Sequence, residues 1–303
     1  MSIKSFAARV VGMLVFASAA QGQHYPAGEL VVWGPGATGV MLPPANLGPV
    51  VDVWATYQTI FARRPDGSIV AWGDPLSAST QVPANVGDVV TLTGTGGCSN
   101  RIMAVRADGS LFAWGGGCYS EPSPLPTNVQ LLANGTSGAF HVVAKSDGSM
   151  ASWGYGSGTG GMPYSIPGVR SIAKAQDYVV AAQADGSLVA WNGGTSSAPA
   201  DAAPARKLVG GGYHIISIRD DGSLYSWGEQ YSTPSGAFED ASACAFTSVA
   251  RRADGTLAVW GLKASELTPP AGIRFSKAVV GVNVPKGFEE FPLILAIRME
   301  IDG

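Results

Sequence analysis

Histidine and cysteine are scarce in this chain, three of each in 303 residues, and only 14% of residues are charged. With His24, His141 and His214 as the whole complement, no HxxxH pair can be written. CxxC, GxSxG and a phosphate-binding glycine loop are also missing. The local signatures of metal, acyl-transfer and nucleotide chemistry are therefore absent. Basic residues are in the minority, 19 against 22 acidic, whereas nucleic-acid contact needs clustered Lys and Arg. After residue 22 no apolar run approaches the length of a membrane span.

The first 22 residues differ from the rest. Lys4 and Arg9 make a basic start, Val10 to Phe16 an apolar stretch, and Ala17-Ser18-Ala19 or Ala20-Gln21-Gly22 a small-residue cleavage site. This reads as a secretory signal, the alternative being an uncleaved amphipathic start. The expected location is outside the cell, in a periplasm or at the cell surface. Lys4 and Arg9 are the only charges there, so a mature chain would be more acidic than the net −3 of the full sequence.

Glycine is plentiful, 41 residues, and much of it sits in a repeat. Residues 65–73 read PDGSIVAWG, 107–115 ADGSLFAWG, 146–154 SDGSMASWG, 184–192 ADGSLVAWN, 220–228 DDGSLYSWG and 253–261 ADGTLAVWG. A seventh copy is cut in two: GELVVWG at 28–34 and IDG at 301–303. A repeat whose first and last copies are halves of one unit is a ring closed by its own ends. Alternating apolar residues before Asp-Gly, as in RIMAVRADG (101–109), make one strand, and Ser-Leu-x-x-Trp after it makes a second. Asp-Gly between two such runs is a hairpin turn, with glycine supplying the positive φ. The motif tryptophans, Trp33, Trp72, Trp114, Trp153, Trp191, Trp227 and Trp260, recur at spacings that leave room for four short strands per unit. Trp54 lies outside the motif. Looser Pro-led stretches such as LPPANLGPVVDV (42–53) and VPANVGDVVTL (82–92) supply the remaining strands. No segment has convincing helical periodicity. The expected fold is all-β: a seven-bladed β-propeller over residues 24–303, one blade shared by the N- and C-terminal strands.

The pattern A-x-x-x-DG-x-L/V-x-x-WG, preceded by P-x-x-V-x-x-V, resembles the regulator-of-chromosome-condensation repeat over residues 28–303. That resemblance implies a seven-bladed propeller whose first and last repeats share a blade. The family's usual GQLG after Trp-Gly is missing from every copy; loops such as GDPLSASTQVP (73–83) replace it. In this the chain is similar to the secreted bacterial branch, which includes the propeller-type β-lactamase inhibitory protein. With its acidic balance, the exchange-factor and chromatin roles of the eukaryotic member are not carried over.

A three-residue Asp-Gly loop at 107–109 sets Arg106 opposite Ser110. Carried outward, that register sets Cys98 opposite Cys118. In an oxidising compartment they can form a disulfide; otherwise they are two thiols in irregular loops. Cys244 reads as a small buried residue. The Asp of each Asp-Gly pair reads as a turn residue. His141 and His214 fall at the same place in their repeats, and both are expected in structural hydrogen bonds.

The one pattern that points to function is an aromatic at the turn between the first two strands of six blades. It comprises Tyr57, Arg101 after Asn100, Phe140 with His141, Tyr178 after Asp177, Tyr213 with His214, Phe246 and Phe291. Connectivity places these turns at the end of the ring opposite the Asp-Gly turns. The loops after Trp-Gly lie at the same end and add Tyr119, Tyr155, Tyr164 and Tyr231. Aromatics with arginine on a rigid rim suit protein binding; the alternative is that the rings plug the channel or pack between blades. The expected function is a non-catalytic module for an unidentified protein partner, monomeric, with no catalytic residue, cofactor, metal or nucleic acid, and no membrane insertion. A structural surface domain and a polysaccharide-acting enzyme are the competing classes.

Overall fold

The computed structural model describes residues 26–56, 59–94, 100–117, 119–135, 138–154, 160–176, 178–192, 198–228, 232–283 and 291–299. They form seven antiparallel sheets of three strands each. Blade 1 consists of Phe275–Asn283, Phe291–Arg298 and, from the other end of the chain, Leu30–Trp33. Leu30 to Trp33 run antiparallel to Ile297 to Ile294, so the ring is closed by strands from both ends of the chain. Blade 2 is Asp52–Ala55, Thr59–Arg63 and Ile69–Gly73, and blade 3 is Val89–Gly94, Arg101–Arg106 and Leu111–Gly115. Blades 4 to 7 repeat the plan, beginning at Val129, Val169, Ala205 and Asp240. The first strand of each blade is innermost and the Trp strand outermost.

Four strands per unit had been expected; the described residues give three. After Trp-Gly the chain instead makes short 3-10 turns, Gly39–Met41, Ala78–Thr80 and Ala264–Leu267. Each receives the next blade's indole. Trp72 Nε1 donates to the Met41 carbonyl (3.1 Å), Trp114 to Ser79 (2.9 Å) and Trp33 to Leu267 (3.1 Å). A turn does this better than a strand, because its carbonyl can point sideways into the seam.

Seven apolar clusters fill the seven seams between blades, each holding one motif tryptophan. Six of these tryptophans are buried, and Trp33 is half-buried. Each buried ring removes roughly 150–250 Å² from water, so the seams carry much of the fold's stability. Inner strands are joined across blades by polar groups as well. Lys277 of blade 1 pairs with Asp52 of blade 2, and Lys207 of blade 6 with Asp240 of blade 7. Between blades 4, 5 and 6 the backbones converge. Asn134 donates to the Ile172 and Leu208 carbonyls and accepts from Gly210 N. A Cβ on Gly210 would lie 2.1 Å from the Lys174 carbonyl oxygen.

The Asp-Gly turns are as expected: Arg106 N donates to the Ser110 carbonyl (2.9 Å), and Arg101 pairs with Gly115. Gly109 has φ 76°, the left-handed region that glycine enters without strain. Asp108 accepts from both the N–H and the hydroxyl of Ser110 (2.9 and 2.6 Å). The same bonds recur at Asp147, Asp185, Asp221 and Asp254, and they hold these carboxyls below the usual range. A basic residue two positions before the Asp clamps the loop entering its blade. Arg64 donates to the Leu47 carbonyl, Arg106 to Val86 and Arg219 to Asp201. Cys98 and Cys118 lie outside the described residues, as do residues 1–25. Cys244 is buried, in the seam between blades 7 and 1.

Candidate functional site

Every middle strand starts at the end of the ring opposite the Asp-Gly turns, and the residue facing the glycine of Trp-Gly gives a common origin. Thr59, Arg101, Phe140, His214 and Thr247 occupy it, opposite Gly73, Gly115, Gly154, Gly228 and Gly261. Tyr178 precedes Val179, which faces Trp191, and so falls there too. The expected aromatic position is therefore not one position. Phe140 and Tyr178 stand at the origin, Tyr213 and Phe246 one residue before it, and Phe291 two before, in register with Asn283. Because side chains alternate between faces, each step changes the environment.

Residues at the origin turn into the seams. Phe140 is buried in the seam between blades 4 and 5. Lys174, itself fully buried, donates to the Phe140 carbonyl (2.8 Å), with its ammonium 4.9 Å from the Phe140 ring centre. Burial without a counter-charge lowers the pKa of Lys174 to about 7. Tyr178 is buried against blade 6, which raises its hydroxyl pKa to about 12. Arg101 is half-buried and bidentate on Glu121 (2.7 and 2.6 Å), with a third bond to the Gly115 carbonyl. These four side chains serve the scaffold.

The two histidines do not share a position. His214 faces Gly228, but His141 faces Trp153, one residue further on, and so points to the other side of its sheet. His214 Nε2 and Ser248 Oγ share a hydrogen bond of 2.8 Å across the seam between blades 6 and 7, and burial lowers its pKa to about 4. His141 is buried against Trp153 and edge-on to Tyr119. Burial, then Lys174 and Arg101, hold it well below the ordinary histidine value.

The expected aromatics that stay at least partly at the surface lie on blades 6, 7 and 1; Val40, Leu42 and Leu76, in the loops after Trp33 and Trp72, are exposed as well. Tyr213 is 40% exposed and stacks on half-buried Phe246 at 4.9 Å and 16°. Leu262, 47% exposed, donates its N–H to the Phe246 carbonyl (2.9 Å). Lys263 follows, with its ammonium 4.3 Å from the centre of the half-buried Phe291 ring. The turns beneath pack closely: Gly212 N donates to the Cys244 carbonyl (2.9 Å), and a Cβ on Gly212 would lie 2.7 Å from Ala245 Cα.

Sequence reading missed Leu262 and Lys263. Their signal is the leucine directly after Trp-Gly in WGLK, where other copies have Pro, Asp, Gly, Tyr or Glu. Tyr164 is 95% exposed, but Met150 N donates to its carbonyl, which puts it by the Asp-Gly end rather than the rim. Tyr57, Tyr155 and Tyr231 lie outside the described residues. Among the described residues no group of three or more His, Cys, Asp or Glu could hold a metal ion, and no helix is long and apolar enough to cross a membrane.

No family model and no curated protein sequence matches the chain. Solved structures do. The crystal structure of Kap60 bound to yeast RCC1 (Prp20) matches at 15% identity with a TM-score of 0.71, covering 98% of this chain and 97% of that one. Prp20p from Saccharomyces cerevisiae matches at 16% identity and 0.69, covering 91% and 92%. The entire ectodomain of the Physcomitrella patens receptor kinase CR4 matches at 21% identity and 0.60, covering 78% and 70%. At such identities the likeness is one of fold: the chain is a seven-bladed β-propeller of the architecture seen in RCC1.

Proposed function

We propose that the protein is a secreted, non-catalytic binding module, resembling the secreted bacterial branch of the repeat family, and that it engages a protein partner through its rim. The observation that carries this is the group of Tyr213 and Leu262, exposed, with half-buried Phe246 and Phe291 at the same end of a closed ring. Large rings ordered before binding lose little conformational entropy on contact, which is how a few residues come to dominate an interface. The buried titratable groups, His141, His214 and Lys174, are sealed in seams with no surface for a substrate. A protein that shares this fold binds another protein: RCC1 (Prp20) has been solved bound to Kap60.

Quantitative capture from the source organism's medium and envelope tests this, using the intact protein and the Tyr213→Ala/Phe246→Ala double variant. A saturable protein partner is expected, with affinity lowered about 30-fold or more in the variant, the size of a hot-spot loss. Capture of the same partner equally well by both forms would place the binding face elsewhere.

A further inference from the structure

Five of the complete Asp-Gly turns are bonded to the next blade. The glycine carbonyl accepts a backbone N–H from the chain leading into that blade: Gly109 from Val129, Gly148 from Ile166, Gly186 from Ala205, Gly222 from Phe238 and Gly255 from Phe275, at 2.9–3.0 Å. At the turn of blade 2 no backbone N–H among the described residues donates to the Gly67 carbonyl, and a Cβ built on Gly67 would meet nothing within 4 Å. A cleft of about 490 Å³ lies there instead, between this turn and the chain entering blade 3, a volume within the usual range of small-molecule sites. Its walls include Val51, Arg63, Arg64, Asp66 and Asp88. Arg63 is the buried member, 4% exposed. Its Nη1 donates to the Val89 carbonyl (2.9 Å) and its Nη2 lies 3.6 Å from Asp52, but its Nε has no hydrogen-bond partner among the described residues. A buried donor left unanswered is costly and calls for an acceptor.

Blade 7 repeats the unit with one difference. Asp240 faces Arg251 across its sheet and pairs with Lys207 of the preceding blade, as Asp52 faces Arg63 and pairs with Lys277. In both blades the residue ahead of the aspartate donates its N–H to the arginine carbonyl, Glu239 to Arg251 and Val51 to Arg63, each at 2.8 Å. In blade 7 that residue also brings a carboxylate, which accepts from Arg251 Nη2 at 2.7 Å. Blade 2 has the apolar Val51 in its place and the cleft beside it. We infer that this cleft binds a small molecule carrying both a carboxylate and an ammonium group, an amino acid or short peptide in its chemistry. The carboxylate takes the part of Glu239 and meets the Arg63 guanidinium in a charge-assisted contact. The ammonium meets Asp88, which is exposed on the blade 3 side and has no ion pair among the described residues. A bare anion is a poorer fit, because Asp66 and Asp88 balance Arg63 and Arg64 in the walls. The site lies at the Asp-Gly end and does not depend on the rim.

NMR titration of the intact protein tests the inference, with the standard free amino acids, alanyl-alanine and acetate as probes at up to millimolar concentration. At least one amino acid or the dipeptide is expected to give saturable shifts at the amides of residues 63–67 and 87–89, the walls of the cleft. Its methyl ester, its N-acetyl form and acetate should each bind about tenfold more weakly or worse, the size of a lost charge-assisted contact. Val51→Glu should abolish binding, by setting on Arg63 the carboxylate that Glu239 sets on Arg251, and a melting temperature matching the wild type confirms its fold. Asp88→Asn, a change at an exposed position, should weaken binding about threefold, the size of an exposed ion pair, and it carries the test if Val51→Glu does not fold. No saturable shift from any probe, shifts confined to the rim, or binding that survives both variants unchanged would overturn the site. Esters that bind as well as the free acids would overturn the carboxylate contact.

Discussion

His141, His214 and Lys174 are neutral-favouring groups, and that preference ties folding to pH. The folded pKa of His214 is about 4 and that of His141 also lies well below the ordinary value, which in an unfolded chain is near 6.5. Between those values the unfolded state binds protons that the folded state refuses. Stability should therefore fall as pH drops below about 6.5 and level off below the folded values, with a slope of up to about 1.4 kcal/mol per pH unit for each histidine. Lys174 acts over another range. Its folded pKa is about 7 against about 10.4 unfolded, so stability should rise as pH climbs from 7 towards 10. Denaturant melts across pH 4–10 check both arms: His214→Gln should reduce the acid arm, leaving the share of His141, and Lys174→Met should flatten the alkaline one. A pH-independent wild type would mean that these groups are hydrated rather than sealed.

Within the blades, strand by strand, position decides what an aromatic does. Trp227 fills the seam between blades 5 and 6, and Trp227→Ala should cost about 3–5 kcal/mol, the usual range for emptying a large buried site. Tyr213→Ala/Phe246→Ala removes a stack at a turn and should cost about 1 kcal/mol or so, the worth of a half-exposed aromatic pair. Equal losses in urea unfolding would put the rim pair in the core. The strands and Asp-Gly turns were legible in the sequence, because each turn needs the same Asp, Gly and Ser or Thr at fixed offsets. The site was only half legible. The turns from inner to middle strand differ in length, Gly210 to His214 in blade 6 but Leu132 to Phe140 in blade 4. Equivalent positions in the repeats are therefore offset by one residue. That offset puts Phe140 and Tyr178 in the seams, His141 and His214 on opposite faces, and Tyr213 and Phe246 at the surface.

At the scale of the whole molecule the ring depends on a strand that its own N-terminal segment cannot replace. Leu30–Trp33 pairs only with Phe291–Arg298 in its sheet, and that strand in turn holds Phe275–Asn283. Truncation after Leu293 should strip most of the middle strand, leave two unpaired edges and broaden or abolish cooperative thermal unfolding. An unchanged transition would contradict closure by the two ends of the chain. Closure bears on the proposed binding face because Phe291 begins the strand that Leu30–Trp33 pairs with to close the ring. The measurement that bears most directly on the proposed function is hydrogen–deuterium exchange of the protein alone and saturated with its captured partner. Protection is expected at residues 211–214, 244–247 and 261–267, with the Asp-Gly turns unchanged. Protection confined to the Asp-Gly turns, with the rim of blades 6, 7 and 1 exchanging as before, would show that the partner binds the other end of the ring.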